Sequence, residues 1–242
     1  MEGQNISISG SGRVSGGAYG QVRISGSGKV EGDVTAQEIR VSGSARFQGE
    51  VKAKEITVSG SGKFTGRVEA DVLVTSGSCG IDGDAEVKEL RSSGAQRIGG
   101  SLRGHYVRVS GLLNVQHDVE SDVFTSSGRF EIGGLLSADR VEIKLVGDSR
   151  VREIGGENVD IRASSSLSFG FSLGQGFRFG IAIGTLTVAE IEGDRVHLEA
   201  TTADVVRGKA VTIGPGCHIG RVEYTEAVEV HPEAKVGERV KR

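Results

Sequence analysis

The stretch Ile39-Arg-Val-Ser-Gly-Ser-Ala-Arg-Phe-Gln-Gly-Glu-Val-Lys-Ala53 decides the fold. Ile39, Val41, Gly43, Ala45, Phe47, Gly49, Val51 and Ala53 are apolar or tiny and fall on every second residue, with Arg40, Ser42, Ser44, Arg46, Gln48, Glu50 and Lys52 between them. A period of two is that of a strand with one buried face, and a helix would need a period of 3.6. Alternation breaks at Lys54-Glu55 and resumes at Ile56.

Working outward, the Ser-Gly pair of this stretch recurs as Ser9-Gly10, Ser25-Gly26, Ser42-Gly43, Ser59-Gly60, Ser76-Gly77, Ser93-Gly94, Ser110-Gly111 and Ser127-Gly128, at one interval of 16 and six of 17. Because 17 is odd, strict alternation would reverse the buried face on each repeat, so every unit drops one step of phase near the position of Lys54-Glu55. Aliphatic residues precede the glycine by four, from Ile6 and Val22 to Val107. A second glycine follows it by six in every unit except the seventh, where His117 stands. Hairpins reverse direction and need turn signals that are missing here. A coil satisfies the pattern: each unit is one turn of a β-solenoid, stacked about 4.8 Å from the next and paired in parallel. The glycine columns mark corners, and the serines before the first column form an exposed row.

Beyond Gly128 the openings continue as Val141/Ile143, Val159/Ile161, Phe177/Phe179, Val196/Leu198, Val211/Ile213 and Val228/Val230, at steps of 17, 18, 18, 19, 15 and 17. Counting from Ile6 gives an all-β solenoid of about fourteen coils. It reads as a regular Ser-Gly part over residues 1–138 and a less regular continuation over 139–242.

Composition supports one elongated β-structure. The 242 residues include 39 Gly, 2 Pro and no Trp, and 29 Lys and Arg stand against 32 Asp and Glu, a net charge of −3. That balance gives no global positive field, so nucleic acid is not an expected partner. Neither a signal peptide nor a run of about 18 apolar residues is present, which reads as cytoplasmic.

Candidate chemistry is sparse. The segment from Leu167 to Ile183 alternates Phe169, Phe171, Phe177 and Phe179 with Gly and Ser. It reads either as ordinary coils, the favoured reading because Phe177/Phe179 fall on the repeat, or as a protruding hairpin that touches a partner or a membrane. Ile213-Gly-Pro-Gly-Cys-His-Ile-Gly220 has the hexapeptide look of β-helix acyltransferases, with His218 or His231 as a base. The clear repeats lack hexapeptide spacing, however, and no loop covers a coenzyme. Asp82 and Asp84 read as a solvated pair, since a 17-residue coil has no loops to wall a sugar groove. Cys79 and Cys217 lie eight coils apart, roughly 38 Å, too far for a disulfide, and read as buried small hydrophobes. No catalytic residue, metal site or cofactor is expected.

The ends matter more. Only Met1 to Asn5 precede the first coil, and Val228, Val230, Ala234, Val236 and Val240 still alternate near the other end. Open solenoid ends recruit other chains. The expected contact residues are Ile6, Ile8 and Val14 at one end and Val228, Val230 and Val236 at the other.

The run Ile56-Thr-Val-Ser-Gly-Ser-Gly-Lys-Phe-Thr-Gly-Arg-Val-Glu-Ala70 is similar to the repeat of bactofilins, bacterial polymer-forming cytoskeletal proteins. The resemblance is strong over residues 6–138 and loose beyond. It implies a right-handed, three-sided β-helix, a hand that agrees with the usual parallel crossover. It also implies a non-enzymatic scaffold that polymerises with itself through its ends without nucleotide. Such scaffolds position envelope or motility partners for cell shape, wall synthesis or movement, often at the inner face of the membrane. The polar first residues and scarce Pro depart from the family's usual flanks. A monomeric or dimeric binding module for a protein or glycan is the second reading, and a hexapeptide-type acyltransferase the third.

Overall fold

A computed structural model describes residues 4–168 and 180–242, with side chains described outside 165–183. One continuous parallel ladder makes a β-solenoid of about thirteen turns, with no helix among the described residues. In the third turn the chain runs straight over Ser44–Gln48, turns at Gly49-Glu50, and continues over Val51–Val58. Lys54 drops out of the register, since Ala53 faces Ala70 and the next pair is Glu55 with Val72. This is the lost step of phase read from the sequence, and it makes a third corner. Three straight runs per turn give the rod three sides.

The inward set is as the alternation requires. Ile39, Val41, Phe47, Ile56, Val58 and Phe64 are all within 1% of complete burial, and equivalent positions continue through Val211 and Ile213. Phe47 and Phe64, one turn apart, stack with centroids 4.8 Å apart, the spacing of the strands themselves.

The Ser-Gly repeat has a steric cause. A Cβ on Gly26, Gly43, Gly60, Gly77, Gly94, Gly111 or Gly128 would lie 2.0–2.1 Å from the carbonyl oxygen of the equivalent glycine one turn back. Only a residue without a side chain lets the turns close to hydrogen-bonding distance at this corner. The corner is stitched by bonds between turns, with Ser42 N–H and Gly43 N–H donating to Ile24 O and Ser44 N–H donating to Gly26 O. The serines before the glycines are exposed.

The second corner uses carboxylates. The Oδ1 atoms of Asp33, Asp84 and Asp118 accept the backbone N–H of Glu50, Ser101 and Leu135, each at 2.8 Å. Gly49, Gly100 and Gly134 leave the room, because a Cβ there would lie within 2.7 Å of those oxygens. Asp84 is therefore a staple between turns, while its neighbour Asp82 pairs with Lys63 at 3.1 Å. His117 stands exposed at this corner and its N–H donates to Gly100 O at 3.4 Å. Both cysteines are free and buried, and desolvation pushes the Cys79 thiol up to about 11.

The ladder corrects the turn count. Strand Ser149–Ala163 pairs directly with Leu186–Leu198, Val159 facing Val196 and Ile161 facing Leu198, a step of 37 residues. Among the described residues the ladder has no turn between these two strands, and Phe177 and Phe179, where a further turn was expected to open, lie outside the described residues. Ser165–Ser168 instead pairs antiparallel with Gly180–Ile183, Leu167 facing Ile181. The chain leaves the rod just past Ala163, at the position that continues the Ser-Gly corner, and returns at Leu186. The junction is fastened on both sides: Ala163 N–H donates to Glu199 Oε2 at 2.9 Å, and Thr185 Oγ1–H donates to Asp148 Oδ1 at 2.8 Å. Among the described residues no helix is long and apolar enough to cross a membrane.

Candidate assembly surfaces

Each end of the ladder has a strand with a single partner. Among the described residues Gln4–Ile8 pairs with Ser11–Ile24 alone, and Lys235–Lys241 with His218–Val230 alone. A parallel strand can bond on both edges, and among the described residues one edge of each of these strands has no partner.

Side-chain exposure agrees. Ile24, Val41 and Val58 are at most 1% exposed, whereas Ile8, at the head of their column, is 8% exposed. In the neighbouring columns Ile6 and Val14 are half-buried, while Val22 and Val30 directly behind them are closed at 1%. At the far end Val228, Val230 and Val236 are half-buried over Val211, Ile213 and Ile219, which are 0–3% exposed. The six residues expected from the sequence therefore fall into two groups of three, one per end. In each group a pair lies on one side of the rod and a single valine on the next. All pack against the core. Ala234, which alternates with them in the sequence, joins the far patch, while Tyr19 and Tyr224 extend the two patches and were not anticipated.

Glu223 also escaped the sequence reading. It is 3% exposed and accepts from Arg207 Nε at 2.9 Å, Arg221 Nε at 2.9 Å and Arg242 Nη2 at 2.6 Å. Burial works to raise its pKa, but Arg207, Arg242 and Arg221 outweigh it and hold the carboxyl below its ordinary value. Arg242 N–H also donates to Tyr224 O. The last strand is thus locked to the turn beneath it, which keeps the terminal apolar patch presented.

The remaining candidates do not converge. His218 and His231 are exposed, and the Nδ1 of His231 accepts the N–H of Glu233 two residues on at 3.2 Å. Phe169, Phe171, Phe177 and Phe179 lie outside the described residues. Among the described residues no group of three His, Cys, Asp or Glu could hold a metal.

A long trough runs along the third side. Its first part, about 740 Å³, follows seven turns from Thr35 to Asp139 over small residues such as Ala53 and Ala70. A second part of about 830 Å³ continues to Arg242, and Ser137 belongs to both.

Comparison with known proteins fits this architecture. Residues 1–103 match the family profile described as "Bactofilin: Polymer-forming cytoskeletal". Two Bacillus subtilis (strain 168) proteins are similar. "Uncharacterized protein YhbF" is 40% identical over 108 residues, 44% of this chain and 41% of that protein. "Uncharacterized protein YhbE" is 38% identical over 103 residues, 42% and 40% of the two chains. The chain thus spans less than half the length of these relatives. No solved structure matches. The match to the bactofilin family is thus carried by residues 1–103, which hold the first Ser-Gly turns and the first terminal strand.

Proposed function

We propose that this protein is a non-enzymatic, self-assembling scaffold whose rods join end to end without nucleotide. The observation that carries the reading is the pair of terminal edges without a partner among the described residues, each with three aliphatic residues that are more exposed than the equivalents one turn inward. Joining would continue the parallel ladder and cover those side chains, gaining roughly 25 cal/mol for each Å² of apolar surface removed from water. Contact between like ends alone closes a dimer, and a filament requires both ends to engage. A cytoplasmic place, at the membrane face or away from it, and the positioning of envelope or motility proteins follow from the family by analogy.

Negative-stain electron microscopy of the purified protein without nucleotide tests the reading. Filaments one rod wide are expected, and isolated short rods at high protein concentration would overturn it.

The Phe-bearing excursion supports a second role within the same scaffold. It leaves the rod where a turn was expected, and between Ser164 and Thr185 it has Arg178 as its only charge. Phe169, Phe171, Phe177 and Phe179 are proposed as its contact residues for a partner or a lipid surface. Replacing all four with Ser is expected to leave filaments intact and to lower co-sedimentation with lipid vesicles or envelope extract at least several-fold. Unchanged co-sedimentation would remove these residues from the account.

A further inference from the structure

The charges of the rod are not mixed evenly. Across the first seven Ser-Gly corners, the residues within three positions of the glycine include nine Lys or Arg and no Asp or Glu. The cations stand in two columns, one on either side of the exposed serines, and repeat with the turns about every 4.8 Å over roughly 29 Å of rod. Five of them meet carboxylates placed farther out. Arg23, Arg46, Arg97 and Arg108 have no carboxylate within 4 Å among the described residues.

The trough carries the opposite sign. Between Glu120 and Asp194 its lining includes eight Asp or Glu and no Lys or Arg. Some of these pair with cations on adjoining turns, but Asp139, Glu157 and Glu192 have none within 4 Å among the described residues. In cross-section the Ser-Gly corner joins two sides of the rod, and the trough runs along the third. A convex basic edge and a concave acidic channel therefore lie on opposite flanks.

We infer that the Ser-Gly edge of one rod seats in the acidic trough of a second copy, joining rods side by side. Three properties select this occupant. The signs are complementary, a corner fits a channel, and both surfaces repeat with the same stacking distance, so successive Arg and carboxylate rows meet in phase over several turns. The basic edge belongs to the first half of the rod and the acid stretch to the second, so the neighbour is shifted along the axis by about half a rod. Because the two surfaces lie on opposite flanks, the contact is heterologous and adds rods without closing. Each exposed pair contributes little, and the contact depends on many acting together at low ionic strength. The inference concerns the flanks of the rod and stands apart from end-to-end joining.

The test compares the wild-type chain with an edge variant (Arg23→Glu, Arg46→Glu, Arg97→Glu, Arg108→Glu) and a trough variant (Asp139→Lys, Glu157→Lys, Glu192→Lys). Filament width is read by electron microscopy and mass by sedimentation velocity, in about 20 mM and about 500 mM salt, which bracket strong and weak screening. Wild type is expected to form paired or wider assemblies at low salt that separate at high salt. Each variant alone should lose at least tenfold of the paired species, and a one-to-one mixture of the two variants should regain it, because reversed edge then meets reversed trough. Wild type that stays one rod wide at low salt overturns the inference, as does either variant pairing like wild type, or a mixture that fails to recover while each variant keeps the wild-type circular dichroism spectrum. Width reports this contact and length reports the ends, so each reading fails separately.

Discussion

Val230→Asp and Ile6→Asp are each expected to stop joining at one end of the rod, and the double variant to leave single rods, with mean filament length at least tenfold shorter. Both positions are half-buried in the free rod, so a carboxylate there stays wet while the rod is alone. In a joined filament the same carboxylate would be enclosed between turns with no partner, which costs several times the apolar contact it replaces. Ile8→Asp should act at the first end as well, with some loss of stability because Ile8 is already 92% buried. Filament length by electron microscopy, with thermal melting as a control on folding, checks the result. If the double variant melts like wild type and still makes wild-type filaments, the terminal strands are not the joint.

The second large effect concerns the glycine column. Gly77→Ala adds one methyl carbon that would lie 2.0 Å from Gly60 O and 2.4 Å from Ser59 O, backbone atoms that cannot rotate away. The turns must separate locally, breaking the bonds from Ser76 N–H and Gly77 N–H to Val58 O and from Ser78 N–H to Gly60 O. Overpacking in a dense core costs roughly 1–3 kcal/mol, and a clash with rigid backbone belongs at or above the top of that range. Gly80→Ala, three residues away with nothing within 4 Å of its added carbon, is the matched control and should change stability little. Chemical denaturation of both variants decides it. Equal midpoints would mean that the column does not set the stacking distance.

These two predictions rest on features of unequal visibility in the sequence. The glycine column was plain, because a steric demand repeated at every turn leaves the same residue at every turn. The inward faces were equally plain, from Ile39 through Ala53, since a strand buried on one side has no other way to be written. The count of turns was not. The residues from Leu167 to Ile183 also alternate, and the two steps of 18 and 19 around Phe177 sum to the 37 that the ladder spans in one step. A period of two belongs to a hairpin as much as to a coil, so alternation alone could not separate them. Glu223 was hidden for another reason. Its arginines come from three different turns, at 16, 2 and 19 residues, and no spacing announces such a cluster. Net charge was silent on this point: −3 over the chain does not show that nine cations gather along the Ser-Gly corners and eight carboxylates along one stretch of the trough.

The junction at Ala163 and Leu186 has a use beyond closing the ladder. Turns touch only their neighbours, so a segment that leaves at a corner and returns to the same corner disturbs no pairing elsewhere. Lengthening such a segment is inexpensive, since doubling a flexible loop adds only about 0.6 kcal/mol of closure entropy. The rod therefore behaves at this point as a mounting rail with one socket per subunit. A tag, a fluorescent domain or a binding peptide inserted between Ser168 and Gly180 should ride on it. In a filament of end-joined rods, whatever occupies that socket is displayed once per subunit, which turns a single excursion of the chain into a regularly spaced array.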